Sequence, residues 1–274
     1  MSDDEARCPD CGPVATRRNG RDRHGRQVHQ CRRCGRRFTA RSATPFSGYR
    51  FPSDVIALAV RWYLRYRLSY ADVAELLAER GIGVDASTVY DWVREFAPLY
   101  EEAARPFRHA VGRAWNVDET YARVAGVWVY VYRAIGGQGQ VVDVYVSEGR
   151  AAEDAATFFR RAIATTGTVP DEVTTDRAAA YPPALIAALP PVAHETGKRA
   201  QQRIERDHQH LKGRLRPMRG FKTLAGARMF ARAHTFLRNL RGQFYDLGRR
   251  VAATLSVPPA AQAWNTLTGI LLGR

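Results

Sequence analysis

A basic stretch near the carboxyl end, residues 203–216, contains side chains that could perform chemistry. It has one interior glycine and no proline before Pro217, which predicts a helix that ends there. At about 100° per residue, one face of this helix presents a carboxylate, an imidazole, an amide and an ammonium, from Glu205, His208, Gln209 and Lys212. A lone acid in a basic helix is commonly an intrahelical salt bridge, so Glu205 is open to that interpretation as well.

The same predicted helix is strongly basic. Arg206, Arg214 and Arg216 lie close to the acid and the ammonium. Guanidinium groups bind phosphate through paired hydrogen bonds, so this composition favours a phosphate-containing polymer over a small neutral substrate. We therefore expect these three arginines and Lys212 to contact DNA.

Two further carboxylates lie in central segments that have a strand pattern. Asp118 lies within the apolar stretch 115–124, where alternation places Glu119 on the opposite face. Asp176 ends the stretch 171–176, at the carboxyl edge where open α/β sheets bind ligands. A carboxylate in the middle of a strand destabilises the fold unless a cation meets it.

Together, Asp118, Asp176 and Glu205 would form the anionic, all-oxygen site that Mg²⁺ prefers. Two such ions about 3.5–4 Å apart can activate an attacking oxygen and stabilise the leaving oxygen in phosphodiester cleavage. Each acid alone could instead cap a helix or form a salt bridge. Their combination in a basic chain with two DNA-type modules favours the metal site.

The four cysteines lie near the amino terminus in two C-x2-C pairs separated by nineteen residues, Cys8 with Cys11 and Cys31 with Cys34. This spacing predicts one structural Zn²⁺ bound by four thiolates, with no position left for water. Disulfides are the alternative, which a cytosolic location disfavours. The arginines between and after the pairs favour DNA contact, although a ribbon that only stabilises a partner surface would have the same cysteines.

Three short helical patterns follow, at residues 53–66, 69–80 and 85–97. The link 81–84 between the second and third has the length of a helix-turn-helix connection. The apolar residues of the third pattern face inward, which leaves a polar set as candidate contacts in a DNA major groove: Ser87, Thr88, Tyr90, Asp91 and Arg94. Many small helical bundles share this pattern, so DNA binding is favoured by the neighbouring cysteine module and the charge.

The chain of 274 residues has 42 basic and 27 acidic residues, a net charge of +15. The net charge is +7 over residues 1–50 and +12 over 198–250, against −5 over 51–197. Two separated basic regions predict a polyanion bound at both ends. The sequence contains no apolar run of about 18 residues, which a membrane span would need. The amino terminus has no signal-peptide pattern, so a cytoplasmic, nucleoid-associated protein is expected.

From residue 114 the pattern changes to strands. Val-, Tyr- and Trp-rich segments at 115–124, 127–135 and 140–146 predict three antiparallel strands. Helix and strand patterns then alternate, which indicates a mixed α/β sheet flanked by helices, and a long helix at 223–247 is expected to pack on it. The predicted domains are 1–45, a zinc ribbon; 50–100, a helix-turn-helix reached by a linker at 42–52; 112–248, the α/β domain; and 249–274, a tail helix for docking or dimer contact.

Three motifs occur in order: WNVDETY at 115–121, TDRAAAY at 175–181, and IERDH at 204–208 followed by Lys212. In this order they resemble the DDE transposases of insertion sequences, specifically the insertion-sequence-six family, over about residues 50–245. The resemblance implies a ribonuclease-H-like fold in which Asp118, Asp176 and Glu205 bind two Mg²⁺ ions and Lys212 contacts DNA at the element end. It also implies a cointegrate product, formed when 3′-hydroxyls exposed at the element ends attack target DNA.

The resulting prediction is a transposase that binds double-stranded DNA, both its terminal inverted repeats and a target, with one structural Zn²⁺ and two catalytic Mg²⁺ ions. A homodimer is expected, because two element ends must be brought together. Two other functions stay open: a catalytically silent DNA-binding regulator derived from a transposase, and a structure-specific nuclease without strand transfer. His194 and His208 are further candidates near the metal site.

Overall fold

The computed structural model of the chain describes residues 7–23, 25–196, 198–247 and 259–273, with the side chains of the helix at 198–218 described from Ile204 onward. The first element is a small antiparallel sheet in the order β1 (Thr16–Arg21), β2 (Gln27–Cys31), β3 (Arg37–Phe38). Cys8, Cys31 and Phe38 form its buried cluster. The ribbon therefore has a small core of its own.

A helical module follows, with α1 (Ser53–Arg65), α2 (Tyr70–Ala78) and α3 (Ala86–Ala104). A capping box starts α2: Ser69 Oγ accepts a hydrogen bond from Asp72 N at 3.1 Å, and Asp72 Oδ2 accepts one from Ser69 N at 2.7 Å. Gly81, with φ of +72°, adopts the left-handed conformation in the turn towards α3. The three predicted helices are present in the predicted order.

A five-stranded mixed sheet has the order β6-β5-β4-β7-β8. Its strands are β4 (Ala114–Val124), β5 (Val127–Gly136), β6 (Val141–Ser147), β7 (Glu172–Thr175) and β8 (Ala193–Thr196). The first three form an antiparallel meander, as predicted, and β7 and β8 run parallel to β4. The helices are α4 (Ala152–Thr166), α5 (Tyr181–Ala188), α6 (Lys198–Met218), α7 (Leu224–Arg241) and α8 (Pro259–Leu271). This strand order, with these directions, is that of a ribonuclease-H-like fold.

The two faces of the sheet have separate cores, because neighbouring residues of a strand point to opposite sides. Trp115 and Val117 of β4 pack with α4 and α5 on one face. Ala122 and Val124 pack on the other face, in a cluster that continues through α7 into α1, α2 and α3 and includes Trp264 of α8. The helical module and this face of the sheet therefore share one continuous core.

Two prolines lie inside helices where the sequence predicts helix ends. α3 continues through Pro98 to Ala104, and α6 contains Pro217 in its last turn. Both prolines are exposed. Each proline removes one helical hydrogen bond, and the tertiary packing of the two helices offsets that loss.

The predicted linker at 42–52 belongs to the helical module. Phe46 is fully buried and stacks on Phe96 of α3 with ring centroids 4.6 Å apart. Arg41 donates hydrogen bonds to the carbonyl oxygens of Phe51 at 2.9 Å and Phe46 at 2.6 Å. Buried aromatic and backbone contacts thus attach this segment to the helices, so it does not act as a free spacer.

α1 buries a wider surface than the stripe the sequence suggests. The apolar period favours Val55, Ala59, Trp62 and Tyr66, but the buried residues are Ile56, Ala57, Ala59, Val60, Tyr63 and Leu64. The difference arises because α1 packs against α3 on one side and against α7 and α8 elsewhere. Tyr66, at the end of the predicted stripe, is 45% exposed.

The carboxyl-terminal helices pack on their own chain. The long helix expected at 223–247 ends at Arg241, and Gly242 caps it. Trp264 of α8 is buried, stacks on Tyr100 at 4.0 Å and donates its indole hydrogen to the Ala57 carbonyl at 3.1 Å. The docking expected of the tail is therefore present, while residues 249–258 lie outside the described ranges. No helix in the described part of the chain has the length and apolar character needed to cross a membrane.

Candidate active site and nucleic-acid surfaces

Asp118 lies in the middle of β4, the strand between β5 and β7. Its side chain is 21% exposed. Burial raises the pKa of Asp118 to about 7, and the negative charges of Glu119, Asp176 and Glu205 act in the same direction. The fold thus brings Asp176 and Glu205 close enough to Asp118 for their charges to raise its pKa.

The parallel register of β4 and β7 explains the position of Asp176. Asn116 pairs with Thr174. Two residues further along each strand, this register brings Asp176 level with Asp118. The Asp176 carboxylate accepts a hydrogen bond from the Ala178 backbone at 2.9 Å, which orients it where the chain leaves the sheet.

Glu205 approaches the same region from α6, which packs on β4, β5 and β7. Its side chain is exposed. Among the described residues, the oxygen atoms of the three carboxylates do not all lie within 4.8 Å of one another, as the ligand atoms of a closed metal cluster would. The negative charges of the three carboxylates repel one another, and a cation bound between them would attract all three.

His208 lies one turn after Glu205, and its Nδ1 is 3.4 Å from Asp118 Oδ2. Burial and, after it, the positive charges of Arg133 and Lys212 lower the pKa of His208 to about 4. The imidazole is therefore neutral at physiological pH. It can orient the Asp118 carboxylate but does not neutralise it.

Sequence reasoning missed a buried ion network beneath the site. Asp207 forms ion pairs with Arg133 of β5 and with Arg238 of α7, the latter at 2.9 Å. Arg133 is fully buried and lies directly opposite Asp118 in the β4–β5 ladder. The available signal was a charged residue inside an apolar strand, the same signal that indicated Asp118. Because Asp207 is two residues from Glu205, the network fixes α6 on the sheet where Glu205 projects.

Glu119 lies on the opposite face of β4, as alternation predicts. It forms an ion pair with Arg150 at 2.7 Å and accepts a hydrogen bond from the Tyr181 hydroxyl. A buried carboxylate with both partners is compensated locally. Glu119 therefore stabilises the α4–α5 face, in contrast to Asp118.

The basic residues of α6 divide into exposed and buried ones. Arg206 and Arg216 are exposed and Lys212 is half-buried. Arg214 is buried, donates a hydrogen bond to the Tyr63 carbonyl at 2.5 Å and lies over the Tyr63 ring. Its face of α6 is turned towards α1, so Arg214 is less accessible for the predicted DNA contact than Arg206 and Arg216.

The candidate groove contacts lie together on α3. Ser87, Tyr90 and Arg94 are exposed, and Thr88 is half-buried. Tyr90 packs edge-on against Tyr70 of α2 with centroids 5.4 Å apart, and the Arg94 guanidinium lies 5.8 Å from the Tyr90 ring. This face combines hydroxyl, aromatic and guanidinium groups next to the start of α2.

The ligand sulfurs of Cys8, Cys11, Cys31 and Cys34 all lie within 4.8 Å of one another. Cys8 Sγ is 3.6 Å from Cys34 Sγ, and all four cysteines are free thiols. The backbone N–H of Cys34 donates to Cys31 Sγ and is the main cause that lowers the pKa of Cys31 to about 7. Gly12 and Gly35, with φ of +72° and +76°, form the two tight turns. The cluster fits one tetrahedral Zn²⁺.

Comparison with known proteins agrees with this architecture. The family model described as DDE domain matches residues 112–243. The transposase for insertion sequence-like element IS431mec of Staphylococcus aureus is 40% identical over 169 residues, which cover 60% of this chain and 75% of that protein. The transposase for insertion sequence element IS257 in transposon Tn4003, also from Staphylococcus aureus, is 39% identical over the same coverage.

Solved structures with similarity to the chain include an integrase catalytic core domain and an intasome. An intasome of simian T-cell lymphotropic virus is 16% identical, with a TM-score of 0.41, over 68% of this chain and 78% of that chain. The HTLV-2 integrase catalytic core domain in complex with magnesium is 18% identical, with a TM-score of 0.32, over 39% of this chain and 72% of that chain.

The ordered acids on a ribonuclease-H-like sheet define a DDE-type protein, and the sequence relatives define the group more narrowly. The chain belongs to the insertion-sequence-six family of DDE transposases.

Proposed function

We propose that this protein is a Mg²⁺-dependent transposase that cleaves the ends of its own element and joins the freed 3′-hydroxyls to target DNA. The observation that carries the proposal is the Asp118 carboxyl group, which is half-buried on the central strand, where the negative charges of Asp176 and Glu205 act on it. His208, which contacts it, is neutral at physiological pH. A divalent cation is the partner that such a donor set fits.

Asp118, Asp176 and Glu205 would hold two Mg²⁺ ions, which when bound activate an attacking oxygen and stabilise the leaving oxygen of a phosphodiester. The chain itself provides the positions of these acids. His208 orients the Asp118 carboxylate from α6. Lys212 lies about two turns after Glu205 on the same face and would contact a phosphate of the element end.

DNA recognition is assigned to the amino-terminal modules. The exposed face of α3, with Ser87, Thr88, Tyr90 and Arg94, would read base edges of the terminal inverted repeat in the major groove. One Zn²⁺ on the four thiolates would stabilise the ribbon. Arg206 and Arg216 would contact phosphates. We also propose that the active species is a homodimer, because two element ends must be joined.

The test compares wild type with Asp118→Asn, Asp176→Asn and Glu205→Gln on a labelled duplex that contains an element end. Each amide keeps the side-chain shape but removes the charge that binds Mg²⁺, so cleavage should be lost while end binding is retained or strengthened. The control is Asp171→Asn, an exposed aspartate paired with Arg113 just before β7, which should cleave like wild type.

The outcomes separate the alternatives. Cleavage by Glu205→Gln at the wild-type rate would remove Glu205 from the site and return it to a surface salt bridge. A wild-type protein that binds ends but leaves them uncut in Mg²⁺ and Mn²⁺ would be a silent regulator. Cleavage without joining to target DNA would indicate a structure-specific nuclease.

A further inference from the structure

A basic cleft lies between the end of α1 and the helices α6 and α7. Its volume is about 230 Å³, and its lining residues are Leu64, Arg65, Tyr66, Arg67, His210, Arg214, His234, Leu237, Arg238 and Arg241. At about 100° per residue, His210 lies roughly 140° around α6 from Glu205. The cleft therefore lies on a different face of α6 from Glu205 and is distinct from the candidate active site.

Three guanidinium groups in this cleft have no acidic partner. In the described part of the chain, no carboxylate forms an ion pair with Arg65, Arg67 or Arg241, whereas Arg238 is paired with Asp207. Burial lowers the pKa of Arg241, and the positive charges of Arg65 and Arg238 add to the effect. Converging like charges destabilise a fold unless an anion joins them.

Two further observations concern His234 and Arg67, which line the cleft. His234 is 6% exposed, and its Nδ1 has no hydrogen-bond partner among the described residues. Such an orphaned buried group is uncommon in a folded protein and indicates a missing ligand or solvent partner. On the other wall, the Arg67 guanidinium lies against Gly213 of α6, where a Cβ atom would be 2.9 Å from Nη2. α6 thus leaves room for Arg67 to reach across the cleft.

The cleft continues the exposed surface of the helix-turn-helix. The turn with Arg67 leads directly into α2, whose first residue Tyr70 stacks on Tyr63 at 4.3 Å and contacts Tyr90 of α3 at 5.4 Å. The start of α2 therefore lies between the candidate groove-reading face and the cleft. In helix-turn-helix proteins the helix before the recognition helix crosses the DNA backbone, so a phosphate is the anion expected at this position.

We propose that the cleft binds a phosphate group of the DNA backbone, with Arg65, Arg67 and Arg241 as its guanidinium ligands. This contact would join the DNA read by α3 to the helix that carries Glu205 and Lys212. Arginine suits the task because its planar donors match phosphate oxygens in pairs. The inference rests on the proposed function, since it takes DNA as the bound polymer.

The first experiment measures end binding as a function of NaCl concentration in the Asp118→Asn background, so that cleavage does not contribute. Arg67→Ala and Arg241→Ala should each lower the slope of log K against log salt by about 0.9 and weaken binding roughly three- to tenfold at about 0.1 M salt. Arg160→Ala is the matched control, because this exposed arginine pairs with Glu153 on the far side of the sheet. Its slope should equal that of the parent.

The second experiment uses inorganic phosphate alone, against chloride of equal ionic strength. Phosphate should raise the melting temperature of the full-length protein but not that of Arg241→Ala, which in chloride should melt at or above wild type because a repulsive charge is gone. Gly213→Ala provides a third test, measured by the salt dependence of DNA binding. It would push the end of Arg67 away from α6 without removing a charge, and should lower the DNA slope in the same direction as Arg67→Ala.

Unchanged DNA slopes in folded Arg67→Ala and Arg241→Ala would overturn the proposal. If phosphate still stabilised the wild type in that case, the cleft would serve a free phosphorylated ligand instead of DNA. If Arg241→Ala melted well below wild type, the role would be structural, and Arg241→Lys should then bind DNA like wild type. None of these readouts uses strand cleavage, so they are separate from the outcome for the catalytic acids.

Discussion

The cysteine cluster and the carboxylate site bring candidate metal ligands together in different ways. The four sulfurs lie within 4.8 Å of one another on two short turns of one small sheet. The three carboxylates come from β4, from the end of β7 and from α6, and in the described chain they do not reach that proximity. A thiol can stay protonated until metal arrives, and its neighbour Cys34 helps raise the pKa of Cys11 to about 12. A carboxyl group is ionised at physiological pH unless burial raises its pKa.

Because of this difference, the two metals would bind at different stages of folding. Zinc would complete the fold of a ribbon whose own core is Cys8, Cys31 and Phe38 with partly buried neighbours. Magnesium would bind a sheet whose core is already complete on both faces.

The largest effect is expected from loss of the zinc ligands. Cys8→Ser combined with Cys11→Ser should unfold residues 1–45 and weaken end binding, because structural zinc contributes about 10–16 kcal/mol in small zinc modules. The five-stranded sheet contains none of the four cysteines, so the unfolding transition of that sheet should persist. Limited proteolysis, calorimetry and metal analysis measure these effects. Wild-type protein with less than about half an equivalent of zinc would contradict the assignment.

The next largest effect concerns the buried ion network, which should stabilise the sheet without any metal. Asp207→Ala leaves Arg133 buried and unpaired and should lower the free energy of unfolding by about 3–5 kcal/mol. Replacing the pair with apolar groups, Arg133→Met with Asp207→Leu, should recover much of that loss. Chemical denaturation of the three proteins measures the differences.

The matched control for the network is Glu153→Gln, which breaks the exposed pair with Arg160 and should cost less than about 1 kcal/mol. If the apolar pair restores stability but not cleavage, the network positions α6 for catalysis in addition to stabilising it. An Asp207→Ala protein as stable as the control would show that the network does not hold α6.

A smaller effect is expected from pH at the carboxylate site. The folded-state pKa of Asp118, about 7, is above its ordinary value of 3.8, so ionisation destabilises the native state. The penalty should grow as pH rises from about 4 to about 7 and stay constant above that, reaching on the order of 2–4 kcal/mol. Without added Mg²⁺, Asp118→Asn should therefore be more stable than wild type at pH 8 and nearly equal to it at pH 4.

Added Mg²⁺ should reverse that order at pH 8. It should raise the melting temperature of wild type and leave Asp118→Asn unchanged, because only the wild type has the charge that binds the ion. Melting curves at several pH values, with and without Mg²⁺, decide the matter. Equal responses of the two proteins would place the ion elsewhere.

The smallest effect is expected at Lys212, which would contact DNA only when an end is bound. Lys212→Ala should lower the salt slope of end binding by roughly one unit, equally for any end sequence. If Lys212 reads a base, the loss should depend on that base and reach about 1–3 kcal/mol. Lys212→Arg should keep binding and lose part of the cleavage rate, since the compact donor is gone. An alanine variant equal to wild type in salt-dependent binding and cleavage would leave Lys212 as a solvated lysine.

Local sequence patterns predicted the order of the elements and indicated the three acids as candidates. A carboxylate in an apolar strand indicated Asp118, and a strand end indicated Asp176, because both signals depend on short-range periodicity. The parallel register that brings these two residues level is a long-range pairing, which no local pattern contains. Arg133 shows the same limit, since its isolated charge was visible in β5 but its partner Asp207 lies on a distant helix.

Tertiary contacts also decided what helical periodicity could not. Periodicity predicts which residues of α6 share a face but not which face meets the rest of the protein, so Arg214 was grouped with exposed arginines although it is buried against Tyr63. Local patterns predict helix ends at Pro98 and Pro217, because a proline inside a helix destabilises it. Whether tertiary contacts offset that cost depends on the packing of the whole molecule.

Because one continuous core joins the helical module to the sheet, some parts of this protein should be easier than others to replace in a hybrid. The ribbon has its own buried cluster, so a hybrid with a different ribbon should fold. A transplanted helix-turn-helix would lack the surfaces that α7 and α8 pack against, and the recipient sheet would be left with exposed apolar residues. New end specificity in this lineage is therefore easier to reach by substitution on the outer face of α3, or by replacement of the ribbon, than by recombination between the helices and the sheet.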